Sequence, residues 1–164
     1  MFDVNEFLAS TITETLDTTR LPIPPGDYAA QINTDDKAVS VDKGTIGRGD
    51  RTGQEWASFV TYMTIPDPSG SIKSATGRDP VVIRHSCFLD LTPAGKIDLS
   101  TGKNTDFAKL FAACGWPVDD KGKLTSGFAP SWLRGKTLKI KVINEPNPKD
   151  PSVTFERISS VTKA

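Results

Sequence analysis

Few residues on this chain could break or form covalent bonds. It has one histidine, His85, and two cysteines, Cys87 and Cys114. His85 falls in the alternating set Val81, Ile83, His85, Cys87, Leu89, Leu91, so a hydrogen-bonded core histidine is the expectation rather than a catalytic base. No Ser-His-Asp or Cys-His arrangement is then supplied. The two cysteines sit in apolar surroundings on unrelated segments. A disulfide framework needs more of them and a zinc site needs clustered ligands, so both are expected to be buried thiols in a reducing cytoplasm. Asp35-Asp36 and Asp119-Asp120 read as solvated turns rather than metal ligands. The glycines from Gly47 to Gly53 miss the dinucleotide spacing, and no phosphate-loop pattern occurs. Arg48-Gly49-Asp50 spells an adhesion tripeptide in a chain without a secretory signal, which makes it a chance match. The residues predict no enzyme, no metal and no cofactor.

A second set of residues suits binding. Side chains alternate between the two faces of a strand, so each strand divides into two sets. Over 54–65, Ala57, Phe59, Met63 and Ile65 face one way, and Trp56, Ser58, Val60, Tyr62 and Thr64 the other. Over 81–91, the apolar set leaves Val82, Arg84, Ser86, Phe88 and Asp90 opposite. Over 137–143, Leu138, Ile140 and Val142 oppose Thr137, Lys139 and Lys141. The second sets mix aromatics, hydroxyls and cations. Flat rings can stack bases for roughly 1–3 kcal/mol each while Arg and Lys follow the phosphates. Trp56, Tyr62, Arg84 and Phe88 are the candidate stacking platform; the competing reading packs Trp56 and Phe88 beneath the N-terminal helix or a loop. Residues 121–141 carry Lys121, Lys123, Arg134, Lys136, Lys139 and Lys141 without one acid. Such a stretch can neutralise phosphates and release counterions, with Lys136, Lys139 and Lys141 the candidate contacts. The alternative is a solvated lysine face.

The elements that must position these groups follow from pattern. Phe7, Leu8, Ile12 and Leu16 form a helical stripe, with Asp3 and Glu6 near the positive end of its dipole, so residues 1–20 are expected to be a helical arm. Leu21 to Gly26, with three prolines, is a rigid extended connection. Residues 21–164 form the main domain. Its first strand alternates Tyr28, Ala30 and Ile32 against Asp27, Ala29 and Gln31. Residues 34–53 read as a long polar loop in which 38–41 is the one candidate strand. Strands at 54–65 and 81–91 are separated by a polar loop from Pro66 to Asp79. A helix then begins behind Asn104 as N-cap, carries Phe107, Leu110, Phe111 and Cys114 on one side, and ends at Gly115-Trp116-Pro117. A short helical turn near Ser131-Trp132-Leu133 and strands at 137–143 and 152–161 follow, the last two joined by a loop at 144–148 stiffened by prolines. Three strands, a helix and two strands is the order of an oligonucleotide-binding (OB) fold. The expected class is therefore mostly β: an OB-like five-stranded Greek-key barrel with one inserted helix and an N-terminal helix. The competing architecture is a β-sandwich carrying one helix.

The bulk numbers bound these readings. The 164 residues fit one domain, and 37% hydrophobic residues suffice for one core. No run approaches the roughly 20 apolar residues of a membrane helix. The acidic start, Met1 to Glu6, lacks the basic and apolar regions of a secretory signal, which predicts a cytoplasmic protein. Lys+Arg and Asp+Glu both number 20, so nucleic-acid binding would have to rest on where charges sit rather than on their sum.

Four stretches resemble a group of small bacteriophage proteins, many regarded as single-stranded DNA-binding proteins or encoded among replication genes. Phe2-Asp3-Val4-Asn5-Glu6-Phe7-Leu8 resembles their N-terminal helix, and Pro22-Ile23-Pro24-Pro25-Gly26-Asp27-Tyr28 their approach to the first strand. Leu89-Asp90-Leu91-Thr92 through Gly95-Lys96-Ile97-Asp98 to Gly102-Lys103-Asn104 resembles the segment before their helix. Leu133-Arg134-Gly135-Lys136 resembles the lead into their fourth strand. The resemblance implies an OB-like fold and a non-enzymatic, sequence-tolerant protein that coats single-stranded DNA during replication or recombination in a bacterial host cytoplasm. Host-type single-stranded DNA-binding proteins end in an acidic tail that recruits partners, and Ser159-Ser160-Val161-Thr162-Lys163-Ala164 departs from that pattern. Two other functions compete: a protein-interaction module, such as a replication accessory or an inhibitor of a host factor, and a virion component docking through its N-terminal helix. That helix also offers a route to homo-oligomers. No membrane partner is expected.

Overall fold

The computed structural model describes residues 3–13 and 20–164. Helix α1, Val4–Ala9, starts at Asp3, whose carboxylate accepts from the backbone N–H groups of Asn5 (2.9 Å) and Glu6 (3.0 Å). It buries no residue. The expected twenty-residue helix is thus cut to six: residues 10–13 are not helical, and 14–19 lie outside the described residues. A helix that buries none of its residues gains little of the packing that sustains most protein helices.

The main body is a six-stranded antiparallel sheet: β1 (Gly26–Ile32), β2 (Val39–Thr45), β3 (Glu55–Thr64), β4 (Val82–Leu89), β5 (Thr137–Asn147) and β6 (Asp150–Lys163). Helices α2 (Ser71–Thr76) and α3 (Thr105–Ala113) join it. β3 is the centre. Along one edge it pairs β4, from Ala57↔Leu89 to Thr64↔Val82. Along the other it pairs β2 and then, at Met63 and Thr64, β1. β1 and β2 therefore act as two halves of one bent strand. The bend is held by Asn33 N–H donating to Tyr62 C=O (3.0 Å) and Tyr62 N–H to Ala38 C=O (2.9 Å). β1 also pairs β5, and β5 pairs β6. β4 and β6 approach each other without pairing, with α3 packed against both, so the sheet curls but does not close.

The apolar sets fill the space inside the curl. Phe59, Met63, Ile83, Cys87, Leu138, Ile140 and Val142 are all buried there, joined by Phe107, Leu110 and Phe111 from α3. Phe107 meets Phe59 edge-on at 4.9 Å and Phe111 at 5.1 Å, a geometry that adds about 0.5–1.5 kcal/mol per pair beyond burial. α3 stops where Gly115 takes φ 95°, which lets Gly115 N–H reach Ala112 C=O and Trp116 N–H reach Phe111 C=O, each at 3.0 Å.

Several expectations need correction. The polar stretch 34–53 holds a seven-residue strand, β2, rather than a loop with four strand residues. The segment 66–79 contains α2, which buries Ile72. The expected loop at 144–148 is mostly strand: β5 runs to Asn147 and β6 starts at Asp150. Beyond Val142, the last residue paired with β1, β6 is the one strand paired with β5 among the described residues, so Pro146 can turn its missing N–H away from the ladder. Asn104 has φ 53° and makes no side-chain cap to α3. Its side chain is buried and instead accepts from Asp90 N–H (2.8 Å) and donates to Asp98 C=O (2.9 Å), tying the end of β4 to the start of α3. Among the described residues no helix is long and apolar enough to cross a membrane.

Candidate nucleic-acid interface

The strand registers put Trp56, Tyr62, Arg84 and Phe88 on one face, the outer surface of β2, β3 and β4. Ser58 lies opposite Asp42 on β2 and Phe88 on β4; Val60 lies between Ser40 and Ser86; Tyr62 lies opposite Arg84. From Trp56 to Tyr62 the face runs about 20 Å at ordinary strand rise, enough for several nucleotides. Phe88 is 77% exposed. Trp56 and Tyr62 are half-buried. No residue of α1 is buried.

The two ends of this face differ. Trp56 pairs Gly44 on β2, and a Cβ at Gly44 would stand 2.9 Å from the indole Cε2 and Nε1 atoms. The indole therefore lies over the bare glycine backbone, with Phe88 edge-on at 6.3 Å. A cleft of about 1270 Å³ opens beside this pair, between the β2–β3 loop and the segment after β4. At the other end Tyr62 borders a smaller hollow of about 550 Å³ with Asp35, Asp36 and Lys37.

Between the ends lies an ion pair. Arg84 Nη2 donates to Asp42 Oδ2 at 2.8 Å. Asp42 sits beside Ser58 and Arg84 beside Tyr62, so the bridge crosses β3 diagonally over Val60, whose neighbours are the small Ser40 and Ser86. This accounts for an outward valine that is only 1% exposed. A strand laid along the face must pass over this bridge or exchange a phosphate for Asp42.

The cations of 121–141 do not form one patch. Lys139 and Lys141 point outward from β5, opposite Ala29 and Asp27, and neither forms an ion pair among the described residues. Counted along the sheet, Lys139 lies two strands and four residues from Tyr62, about 16 Å on a flat surface. Lys136 goes elsewhere: its Nζ stands 4.3 Å over the ring of Trp132, which meets Trp116 edge-on at 5.0 Å. Lys121 and Lys123 sit in a turn whose backbone N–H groups donate to Asp119 Oδ1, at 2.9 and 2.8 Å. Arg134 Nη2 donates to Asp36 C=O at 3.3 Å. Sequence proximity grouped these residues; the β1–β5 pairing and the aromatic cluster around Trp132 separate them.

His85 lies on the core side of β4, opposite Thr61, with Nε2 3.4 Å from Cys87 Sγ. Burial lowers its basicity, against the pull of Asp106. Burial also pushes both thiols up to about 11, so this contact supplies no thiolate near neutral pH. Both cysteines are free. Among the described residues no three His, Cys, Asp or Glu side chains cluster as metal ligands would.

Sequence reasoning missed Asp42, Glu55, Arg51 and Lys103, which border the aromatic face or its large cleft. The alternation Val39-Ser40-Val41-Asp42 was the available signal for Asp42. Comparison of the chain with protein-family models and with curated proteins finds no match.

Proposed function

We propose that this chain is a non-enzymatic single-stranded DNA-binding protein of the phage type, which coats and protects transient single strands during replication or recombination in a bacterial host cytoplasm. The observation that carries the reading is the row of Trp56, Phe88, Tyr62 and Arg84 on one open sheet face. The exposed Phe88 and the half-buried Trp56 and Tyr62 offer ring surface for stacking to any base, and the cations at Arg84, Lys139 and Lys141 lie on the same outward surface of the sheet. The element order supports reading the curled sheet as OB-like: a bent first strand, a meander, a helix across the β4–β6 gap, and a hairpin returning against β1. α1, with Val4 and Leu8 exposed, supports self-association through the N-terminal arm.

Stacking and phosphate neutralisation are different terms and separate under mutation. Replacing Lys139 and Lys141 with Ala should weaken binding to all sequences and flatten the log–log salt dependence by about 0.7 per lost phosphate contact. Phe88→Ala or Tyr62→Ala should cost roughly 1–3 kcal/mol and leave that slope nearly unchanged. One observation favours a protein-interaction module instead: Asp35, Asp36, Asp42, Glu55, Asp90 and Asp98 border the aromatic face or its hollows. A chain that retains no oligonucleotide at moderate salt would be read that way.

A further inference from the structure

β2 is an open edge of the sheet. Among the described residues it pairs β3 on one side and no strand on the other, and residues 39–45 make no backbone hydrogen bond outside that pairing. The ends of the ladder fix its parity. Tyr62 N–H donates to Ala38 C=O and Ile46 N–H to Gln54 C=O, each at 2.9 Å, so the even-numbered residues between them turn their backbone groups toward β3. Val39, Val41 and Lys43 therefore present N–H and C=O to the free edge. Val41 lies opposite the buried Phe59 yet is 54% exposed. An exposed edge strand with unpaired backbone groups and an apolar side chain is a template for another strand.

We propose that the strand which pairs there is β2 of a second copy, antiparallel and centred on Val41. A twofold axis normal to the sheet keeps the outer faces of both copies on one side, and it sets each residue opposite one of its own parity. Centred on Val41, this valine meets its own copy and Val39 meets Lys43, each pair exchanging both backbone bonds. Ser40 then lies opposite Asp42, and its hydroxyl can donate to the carboxylate. Asp42 holds Arg84 through Oδ2 at 2.8 Å, which leaves Oδ1 for that hydroxyl. Neighbouring registers set like charges against each other. Centring on Asp42 opposes two carboxylates, centring on Lys43 opposes two ammonium groups, and centring on Ser40 brings Lys43 opposite Lys37. The joined sheet carries the Trp56–Tyr62 faces of both copies on one surface. This pairing goes beyond the DNA-binding reading, stands without it, and uses a different surface from α1.

The test is sedimentation of the full chain over a range of concentrations without DNA, which should show a monomer–dimer equilibrium. Val41→Pro removes an N–H that points away from β3, a change an edge strand tolerates; it should leave the thermal midpoint close to wild type and abolish the dimer. Ser40→Asp sets an acid opposite Asp42 of the second copy at two symmetric positions and should weaken the dimer roughly two- to thirtyfold. Adding Asp42→Ser to it should restore the dimer. Val41→Cys should form a disulfide-linked dimer under mild oxidation, since a hydrogen-bonded pair holds its Cα atoms about 5.5 Å apart. A monomer at every concentration, or a dimer that persists in Val41→Pro, would overturn the proposal. A dimer lost in Val41→Pro from a chain that binds no oligothymidine would remove the DNA-binding reading and uphold the pairing.

Discussion

Replacing Asp42 with Asn should make the protein bind single-stranded DNA more tightly, a gain of function that a purely structural role for the aromatic face would not produce. In the wild-type chain Arg84 is neutralised by Asp42 at 2.8 Å across the middle of the face. The side chains are 46% and 52% exposed, so the pair is worth only about 0.2–1 kcal/mol, and a phosphate can displace it at that cost. Asn keeps the shape of the side chain and removes its charge. Arg84 then meets a phosphate without first giving up a partner, which translates to a gain of roughly 1.4- to 5-fold in affinity. The sharper signature lies in salt dependence, because one more phosphate contact steepens the single-strand log–log slope by about 0.7. Titrations with a mixed-sequence oligonucleotide at several salt concentrations, read by tryptophan fluorescence, measure both quantities. Adding Arg84→Ala to Asp42→Asn should abolish the gain. Weaker binding by Asp42→Asn, or an unchanged slope, would refute the idea that the bridge lies in the path of the strand.

Gly44→Ala should displace the Trp56 indole, since the new Cβ would stand 2.9 Å from the ring; a shifted emission spectrum and a loss of about 1–3 kcal/mol in chemical unfolding check this. Glu156 accepts from Arg78 at 2.6 Å with both side chains 11% exposed, so Glu156→Gln should destabilise by about 2–3 kcal/mol at neutral pH by leaving Arg78 uncompensated. Burial raises the Glu156 pKa, but the Arg78 hydrogen bond and charge outweigh it and the net value is lowered. The wild-type advantage is therefore present above the ordinary glutamate value and should shrink as pH falls through and below it. His85 has a folded-state pKa below its ordinary 6.5, chiefly through burial. Its contribution is complete above pH 6.5 and declines as pH drops, so the thermal midpoint should fall on acidification through that region, and His85→Gln should flatten the fall.

Much of the outer sheet face was legible because it depends on period-two alternation alone. β3, β4 and β5 carry apolar residues on one side and mixed residues on the other, so the core-facing Phe59, Ile83 and Leu138 could be separated from Trp56, Arg84 and Lys139 without knowing the topology. β2 was obscured because Asp42, Lys43 and Gly44 are poor strand formers. Pairing along β3 overrides that weak preference. The arm was overextended because helical spacing alone does not sustain a helix: residues 10–13 are not helical, and α1 buries none of its own residues. What one strand could not reveal was the company its residues keep. Asp42 neutralises Arg84 and Lys136 is drawn to Trp132 through contacts between segments some 40 and 4 residues apart; the first needs strand pairing and the second a 3-10 turn at Pro130–Leu133. Asn104 was assigned to its position for the wrong reason, since the long Asp90–Asn104 connection, rather than the helix end, claims its side chain.

The most direct measurement is a competition between a mixed-sequence single strand and its own duplex for the full-length chain at moderate salt. In a duplex the bases are already stacked and cannot reach Phe88, Tyr62 or the Trp56 cleft, while the phosphates remain available to Arg84, Lys139 and Lys141. Clear preference for the single strand, reduced by Phe88→Ala more than by replacing Lys139 and Lys141, is the predicted result. Equal retention of both forms, or of neither, would contradict the account.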